Sequence, residues 1–205
     1  MGNPWKDIDL NDYEAHMGLD SVLQLQTMNR MMKEQFSAYP VSSVMILGIA
    51  GGNGLEHIGG QGFRKVYGVD INETYLQTCV RRYPALQGVL ETVCADLTRE
   101  AEKLPHAELL VANLLIEYIG YQNFQEAVLA VKPKYVSCAI QVNTDESFVS
   151  DSPYLHVFDW LEEVHHQMEE HALSKAMHDV GYRQILREKA ELPNGKKLLR
   201  LDFGC

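Results

Sequence analysis

A glycine-rich stretch near residue 50 is the part of the sequence best suited to hold a ligand. Val44–Leu47 is a continuous apolar run, and glycines follow it directly at Gly48, Gly51, Gly52 and Gly54. Glycine tolerates positive φ and has no Cβ, so the backbone can turn sharply and lie against a ligand. A helix-compatible segment follows, and a helix N-terminus offers unpaired N–H groups to a carboxylate or a phosphate. The pattern predicts a strand, a glycine turn and a helix, with a nucleotide-like ligand at the turn.

Polar side chains come at the ends of three further apolar runs. Asp70, Asp96 and Asn113 follow the runs Lys65–Val69, Val89–Cys94 and Leu109–Ala112. Asp70 lies 22 residues after Gly48, the offset at which a carboxylate can accept hydrogen bonds from ribose hydroxyls. Each residue alone could be a helix cap. Together with the glycine turn they predict one site beyond the carboxyl ends of four strands, where open α/β sheets bind ligands.

Strand-like and helix-like segments alternate over most of the chain. Further helices are predicted over 73–82, 122–131 and 173–180, with a short segment over 97–104 and a fifth strand over 135–142. Continuous apolar runs are typical of parallel strands covered on both faces. Pro193-Asn194-Gly195 joins two alternating runs, 183–192 and 196–203, and predicts a hairpin. We therefore predict an α/β fold with a doubly wound, mostly parallel seven-stranded sheet, a C-terminal antiparallel hairpin and helices on both faces.

Two segments lie outside this alternation. Residues 1–40 are predicted to form a helical arm or lid on the domain 41–205, with a helix from about Asp20 to Phe36 capped by Asp20 or Ser21. Residues 143–170 are predicted to be a substrate-side insert, in which a helical apolar face runs over 157–172. Its aromatic residues either line an apolar pocket or pack against each other: Phe148, Tyr154, Phe158 and Trp160.

With these features together, the chain resembles the class I S-adenosylmethionine-dependent methyltransferases from Val41 to Phe203. The family's first motif, acidic-x-G-x-G-x-G, stands here as Gly48-Ile49-Ala50-Gly51-Gly52-Asn53-Gly54. Gly48 replaces the acidic residue and Ala50 the first glycine. The resemblance implies S-adenosylmethionine as the cofactor. It also implies transfer of a methyl group to a small-molecule acceptor by in-line displacement.

The resemblance further implies roles for individual residues. Asp70 matches the ribose-binding acid and Asp96 the acid that accepts from the adenine amine, while the stretch from Asn113 borders the methionine moiety and the substrate. Because Gly48 removes the acid that holds the methionine ammonium in the family, a substitute is expected from the arm, such as Tyr13 or Glu14. The implied cofactor-binding residues are Tyr13, Met17, Gly48, Ala50, Gly52, Gly54, Asp70, Ile71, Asp96, Leu97, Asn113 and Leu114.

Two residues are candidates for a general base. A hydroxyl or carbon-acid acceptor needs a base, whereas an amine that arrives neutral needs none. Glu117 is the first candidate, because small-molecule members of the family commonly have a histidine in the related segment, and His16 is the second. Glu117 could equally be a solvated loop residue, and His16 could cap or pack. No metal is expected, since the adjacent His165 and His166 point about 100° apart on a helix.

Three other functions are compatible with parts of the sequence. A dinucleotide-binding G-x-G-x-x-G fits only from Gly52 to His57, and His57 then occupies the third glycine position. Protein or RNA methylation is an alternative, but the segment at Asn113 lacks the N/D-P-P-Y/F/W pattern of nucleic-acid amino-methylating enzymes. A non-catalytic S-adenosylmethionine-binding module remains open because of Gly48 and Ala50.

The bulk composition limits the partners. The formal net charge of the 205 residues is −10 and the sequence pI about 5.2, which disfavours a nucleic-acid substrate. No apolar run has membrane-spanning length, and residues 1–10 lack the apolar core of a signal peptide. The four cysteines show no C-x-x-C spacing, so reduced thiols are expected. We expect a cytoplasmic protein, monomeric or homodimeric, with no nucleic-acid or membrane partner.

Overall fold

A seven-stranded sheet organises the chain. The computed structural model describes residues 3–142, 149 and 152–205. The strands are β1 Ser43–Leu47, β2 Lys65–Asp70, β3 Leu90–Cys94, β4 Leu109–Asn113, β5 Tyr135–Val142, β6 Arg183–Glu191 and β7 Lys197–Gly204. Their order is β3-β2-β1-β4-β5-β7-β6, and only the pairs that involve β7 are antiparallel. The predicted fold class, including the C-terminal hairpin, is confirmed.

The apolar runs form central strands because both faces of the sheet are covered. In β1, Met45 and Leu47 belong to a large core that includes Phe124 and Leu173, while Val44 and Ile46 belong to a second core on the opposite face. The side chains of Val44–Leu47 are each at most 3% exposed. Because these four successive side chains of β1 point alternately into the two cores, all four are apolar, and they appear in the sequence as a continuous apolar run, as is typical of parallel sheets.

In the described residues five α-helices cover the sheet and its edge: α1 Leu10–Gly18, α2 Gln24–Ser37, α3 Glu73–Arg82, α4 Ile116–Val131 and α5 Glu170–Asp179. The predicted cap of α3 is present, since Asn72 Oδ1 accepts the N–H groups of Thr74 and Tyr75. α4 begins six residues before the predicted start, because a single turn precedes a kink at Gly120, whose φ is 74° and ψ 166°. Within the described residues, no helix combines the length and apolarity needed to cross a bilayer.

The N-terminal region differs from the prediction in its details. α1 was not predicted, because only Leu10, His16 and Met17 of its nine residues are buried. The predicted caps of α2 are wrong: the helix follows Leu23, which has a left-handed φ of 50°. A turn places it there, with the N–H groups of residues 22 and 23 both donating to the carbonyl of Leu19.

Two predicted helices are shorter than expected. The glycine turn leads only into a four-residue 3-10 helix, Leu55–Ile58, since further glycines follow at 59, 60 and 62. The helical face over 157–172 is wrong as a continuous helix: a 3-10 helix, Leu155–Glu163, precedes a non-helical connection to α5. In that connection the N–H of His166 donates to the carbonyl of Glu117 at 2.6 Å, a long-range bond in place of a helical one. Phe148 and residues 143–147, 150 and 151 lie outside the described residues.

Candidate active site

The carboxyl ends of β1 to β4 border one cleft. β1 lies between β2 and β4, so the strand order reverses there, as at the ligand sites of open α/β sheets. The space in this first cleft is about 660 Å³, part of it open to solvent. Its walls combine strand ends with the N-terminal arm: Asn3, Trp5, Tyr13, Gly48, Ala50, Asp70, Ile71, Tyr75, Ala95, Asp96, Leu97, Asn113, Leu114, Leu115, Tyr118 and Ile119.

Asp70 ends β2 and ties the glycine turn to it. Its Oδ2 accepts the N–H of Ala50 and its Oδ1 the N–H of Asn72, each at 2.9 Å. Desolvation raises the pKa of Asp70, while these backbone hydrogen bonds act in the opposite direction. Each carboxylate oxygen has two lone pairs. Asp70 therefore keeps the capacity to accept hydrogen bonds from a ligand in the first cleft.

The residues that depart from the family motif lie at the cleft wall. Gly48 has a φ of 69° and Ala50 a φ of 47°. An alanine pays a steric cost in this region, and the hydrogen bond from its N–H to Asp70 offsets that cost. The turn thus presents backbone, not side chains, to the first cleft.

Gly52 and Gly54 lie behind the wall. Neither glycine lines the first cleft, the cleft beside Glu117 or the cleft beside Glu14. A Cβ on Gly52 would come within 2.8 Å of Cys79 Sγ, and one on Gly54 within 2.9 Å of Met32 Cβ. These two glycines let the turn pack against α3 and α2, so their direct contribution is to the shape of the turn.

Ile71, Asp96 and Leu97 form the end of the first cleft next to β3. Asp96 Oδ1 accepts the N–H of Thr98 at 3.0 Å and its hydroxyl at 2.7 Å. Asp96 therefore caps its own turn, and its remaining lone pairs are available for a ligand. The two apolar neighbours suit a flat, uncharged ring system beside the carboxylate.

Asn113 lines the first cleft, but its amide already has a partner. Gln35 Nε2 donates to Asn113 Oδ1 and Asn113 Nδ2 donates to Gln35 Oε1, both at 2.9 Å. Gln35 is fully buried on α2, so the pair fixes α2 to the end of β4. Leu114 follows with a φ of 52°, and its N–H donates to the carbonyl of Ala139 at 2.8 Å.

A second cleft of about 530 Å³ adjoins the first. Glu117 on α4 lines it and is 3% exposed. Glu117 Oε1 accepts the N–H of Gln141 at 2.8 Å, and Glu117 Oε2 has no hydrogen-bond partner among the described residues. Desolvation raises the pKa of this carboxyl to about 7, although the backbone hydrogen bonds oppose the shift. The walls are Trp5, Tyr13, His16, Met17, Gln24, Leu114, Glu117, Tyr118, Gln141, Val149, Phe158, Leu161 and His165.

Both histidines of the second cleft favour the neutral form. His16 Nδ1 lies 2.7 Å from Ser152 Oγ, and its ring lies 4.8 Å from that of Phe158. Burial and the charge of Lys196 lower the pKa of His16. Burial, His166 and Lys196 lower the pKa of His165 to about 4. At neutral pH these imidazoles therefore bring no positive charge to the cleft.

The arm joins the clefts. Tyr13 on α1 lines the first, the second and a third cleft of about 520 Å³ that lies against Gly48–Gly51, and Met17 lines the second and third. The ring of Trp5 makes edge contacts with Tyr13 and with Tyr118, at centroid distances of 5.6 and 4.8 Å. Burial raises the pKa of Tyr13, so its hydroxyl stays protonated. α1 thus forms a cover over the strand ends.

A two-point ion pair fastens α1 to α3 across the glycine turn. Arg82 Nη1 and Nη2 lie 2.5 and 2.8 Å from the two carboxylate oxygens of Glu14, and Nη1 also lies 3.4 Å from the carbonyl of Gly51. Glu14, one of the two arm residues named as substitutes for the motif's acid, lines the third cleft. Its charge is balanced by Arg82.

Several residues of the site were not found in the sequence. Trp5 borders the first and second clefts, and the amide of Gln24 donates to Gln141 Oε1 beside Glu117. Gln24 and Gln141 are 117 positions apart, so no local pattern joins them. Of the predicted aromatic residues of the insert, Phe158 lines the second cleft, whereas Trp160 is 62% exposed. In the described part of the chain, no group of three His, Cys, Asp or Glu side chains could hold a metal ion.

Comparison with known proteins gives matches in structure only. No protein-family profile matches the sequence, and no curated protein matches it. The magnesium protoporphyrin IX methyltransferase of Synechocystis PCC 6803, solved with S-adenosylmethionine, superposes with a TM-score of 0.69 over 100% of this chain and 97% of its own, at 8% identity.

Two further solved structures have similar scores. The N-methyltransferase NodS of Bradyrhizobium japonicum WM9, solved with S-adenosylhomocysteine, gives a TM-score of 0.67 over 99% of this chain and 98% of its own, at 12% identity. A Pyrococcus horikoshii protein provisionally named an RNA methyltransferase gives 0.60 over 87% and 84%, at 12% identity. These likenesses and the strand order agree: the chain has the class I S-adenosylmethionine-dependent methyltransferase fold.

Proposed function

We propose that this protein is a methyltransferase that uses S-adenosylmethionine and acts on a small molecule. The observation that carries the proposal is the meeting of three clefts at Tyr13, over the carboxyl ends of the strands. One cleft has carboxylates at two strand ends, one lies against the glycine turn, and one is lined by Glu117, which has a buried carboxylate oxygen with no partner among the described residues. This arrangement suits a cofactor in the first and third clefts and an acceptor in the second.

The residues present fit the proposed cofactor. Asp70 has lone pairs for two ribose hydroxyls, and Asp96 has lone pairs for the adenine amine beside apolar Ile71 and Leu97. In the third cleft Gly48 and Ala50 offer backbone to the methionine part, and Glu14 offers the carboxylate that the motif lacks. The bound cofactor supplies a methyl group on a positively charged sulfur, which keeps the electron pair when the acceptor's lone pair forms the new bond to carbon.

The protein's own contribution is to hold the acceptor, exclude water and move a proton. Tyr13, Met17 and Trp5 close the junction between the clefts, so alignment of the two ligands and exclusion of water come from the arm. Glu117 is the group we assign to take the acceptor's proton, because it lines the second cleft and its pKa is near neutral. His16 is the second candidate.

A small-molecule acceptor fits better than a nucleic acid. The net charge of −10 disfavours a phosphate backbone, and the second cleft is bordered by α1, α4 and the 3-10 helix of residues 155–163. The Pyrococcus neighbour makes RNA methylation the alternative activity, and a non-catalytic binding role is the alternative of a different class. A cytoplasmic monomer or homodimer remains part of the proposal, in keeping with four free cysteine thiols.

Ligand-dependent thermal unfolding tests the cofactor assignment. S-Adenosylmethionine or S-adenosylhomocysteine at 100 times Kd should stabilise the native state by about 2.7 kcal/mol, which corresponds to about 5 to 11 °C for a chain of this size. NAD should have no effect. Asp70→Asn should weaken binding about 10- to 100-fold through the loss of charged hydrogen bonds, whereas Asp179→Asn, in an exposed ion pair on α5, should not. A shift with NAD alone would refute the assignment.

Methyl transfer itself is tested with radiolabelled cofactor over phenols, amines, carboxylates and a bulk RNA. Incorporation into RNA alone would reject the small-molecule proposal. Cofactor binding with no labelled product in any class would favour the non-catalytic role.

A further inference from the structure

Two buried side-chain polar atoms in the described part of the chain have no hydrogen-bond partner, and both belong to residues that line the second cleft. They are Glu117 Oε2 and Trp5 Nε1. Buried polar groups in native proteins are almost always paired, so an unpaired one calls for an explanation. Trp5 also borders the first cleft, so its N–H can serve either ligand. Of the three clefts, Glu117 lines only the second, which is the cleft proposed for the acceptor. Its unpaired oxygen therefore indicates which chemical group the acceptor brings.

We propose that the acceptor is a primary or secondary amine that binds as a cation, with its N–H group donating to Glu117 Oε2. The inference rests on the proposed methyl transfer and names the chemical class of its acceptor. It requires that the second cleft favour a positive charge and disfavour a negative one. The walls of the cleft meet this requirement.

The charges and rings around Glu117 favour a cation. Tyr13, Trp5, Tyr118 and Phe158 contribute aromatic rings to the cleft, and the faces of such rings attract cations. His16 and His165 are neutral at pH 7, as shown by their lowered pKa values. The charge of Lys196, which lowers the pKa of both histidines, opposes a bound cation, but Lys196 does not line the cleft, whereas Glu117 does. A carboxylate acceptor would instead face Glu117 as a like charge.

The burial of Glu117 also favours an amine acceptor over a phenol or an alcohol. When an ammonium ion gives its proton to Glu117 Oε2, the N–H bond breaks, the O–H bond forms, and an ion pair becomes a neutral amine and a neutral carboxylic acid. The nitrogen lone pair is then free to attack. Desolvation favours this step, because it removes two charges, and it lowers the pKa of an amine while raising that of a phenol. Proton transfer from a phenol to the carboxylate leaves the negative charge in place and gains nothing from burial.

Binding of three matched probes tests the proposal without any requirement for turnover. Benzylamine, benzyl alcohol and benzoate share one ring and differ in the group presented to Glu117. Their affinities are measured by calorimetry at pH 7.5, with and without saturating S-adenosylhomocysteine. We expect benzylamine to bind at least about tenfold more tightly than either analogue, the ratio that corresponds to about 1.4 kcal/mol.

Variants of Glu117 assign this preference to the residue. Glu117→Gln keeps the acceptor for the Gln141 N–H but removes the charge, and should lower benzylamine affinity about 10- to 100-fold with little change for benzyl alcohol. Glu117→Asp keeps the charge, and should retain part of the preference. Glu162→Gln, an exposed change on the 3-10 helix, is the matched control.

The outcomes separate this inference from the proposed function. Equal affinity for the three probes, no binding of any of them, or an unchanged benzylamine affinity in Glu117→Gln would overturn the amine proposal, even if S-adenosylhomocysteine binds. Failure of S-adenosylhomocysteine to bind would overturn the proposed function. The titrations without it would still show whether the cleft selects amines.

Discussion

Glu117 should make the stability of the ligand-free protein depend on pH in the direction opposite to that of an ordinary carboxylate. Burial raises its pKa from 4.5 to about 7, so between these values the native state holds a proton that the unfolded chain has lost. The stabilising contribution is complete below pH 4.5 and is lost as the pH rises through 7. A difference of about 2.5 pH units at 1.36 kcal/mol per unit gives a contribution on the order of 3 kcal/mol.

Glu117→Gln is the perturbation that isolates this contribution, because an amide is uncharged at every pH. Its Oε1 can still accept the N–H of Gln141, which Glu117 accepts at 2.8 Å. Near pH 4.5, where Glu117 is protonated, the free energies of unfolding of wild type and variant should differ only by a small constant. By pH 8.5 the variant should have gained about 3 kcal/mol relative to wild type. The change in the difference between the two pH values is the quantity to compare, since any constant packing cost cancels.

Urea unfolding at intervals from pH 4.5 to 8.5 measures both proteins. Other ionisable groups near Glu117 have shifted pKa values, but they are common to both chains: Tyr13, His16, Tyr118, Tyr121, Cys138 and His165. Glu162→Gln should follow the wild-type profile, since that side chain is exposed. Parallel profiles for wild type and Glu117→Gln would refute the argument that burial dominates the pKa.

Two further predictions concern the packing around the first cleft. Gly52→Ala should lower the free energy of unfolding by about 1 to 3 kcal/mol more than Gly62→Ala, as measured by thermal or urea unfolding. Both positions have a positive φ, at 88° and 76°, but only a Cβ at position 52 would contact Cys79 Sγ, at 2.8 Å. Equal losses of stability in the two variants would contradict the packing argument. Gln35→Leu should lower the free energy of unfolding by about 1 to 3 kcal/mol, because it leaves the amide of Asn113 without its reciprocal partner. The loss of stability should be smaller when Asn113→Leu is combined with it.

The sheet was predictable because its signals are local. β1 reads as an apolar run that ends in glycines, and both properties follow from burial on two faces and from a sharp turn. The hairpin was predictable from Asn194-Gly195 for the same reason. Asp70 could be placed at the end of β2 because strand length and the offset from the glycine turn fix its position, and the structure puts it beside Ala50.

The second cleft was harder to predict from the sequence, because its properties depend on contacts between residues that are far apart in the chain. Glu117 could have been a solvated loop residue, and it is buried because α4 begins with a turn before the kink at Gly120. Its raised pKa requires that burial, and the backbone N–H that its side chain accepts at 2.8 Å comes from Gln141 on β5. His16 was one of two candidates for the base, but its lowered pKa depends on burial and on the charge of Lys196, 180 positions away. No periodicity contains such information.

The motif's missing acid and the covering position of α1 have a common explanation. A side chain at Gly48 would have to adopt a φ of 69°, and its Cβ would lie 3.2 Å from Leu115 at the start of α4, so an acid there would be strained on both counts. The carboxylate beside the third cleft comes instead from Glu14, and Arg82 holds it across the turn. An acid supplied by the first strand's own turn is in place before any ligand arrives. One supplied by α1 is in place only while the arm lies over the strand ends, and the same helix carries Tyr13 to the junction of the three clefts. Because Glu14 and Tyr13 lie on the same helix, the packing of α1 positions both the carboxylate beside the third cleft and the phenol at the junction of the three clefts.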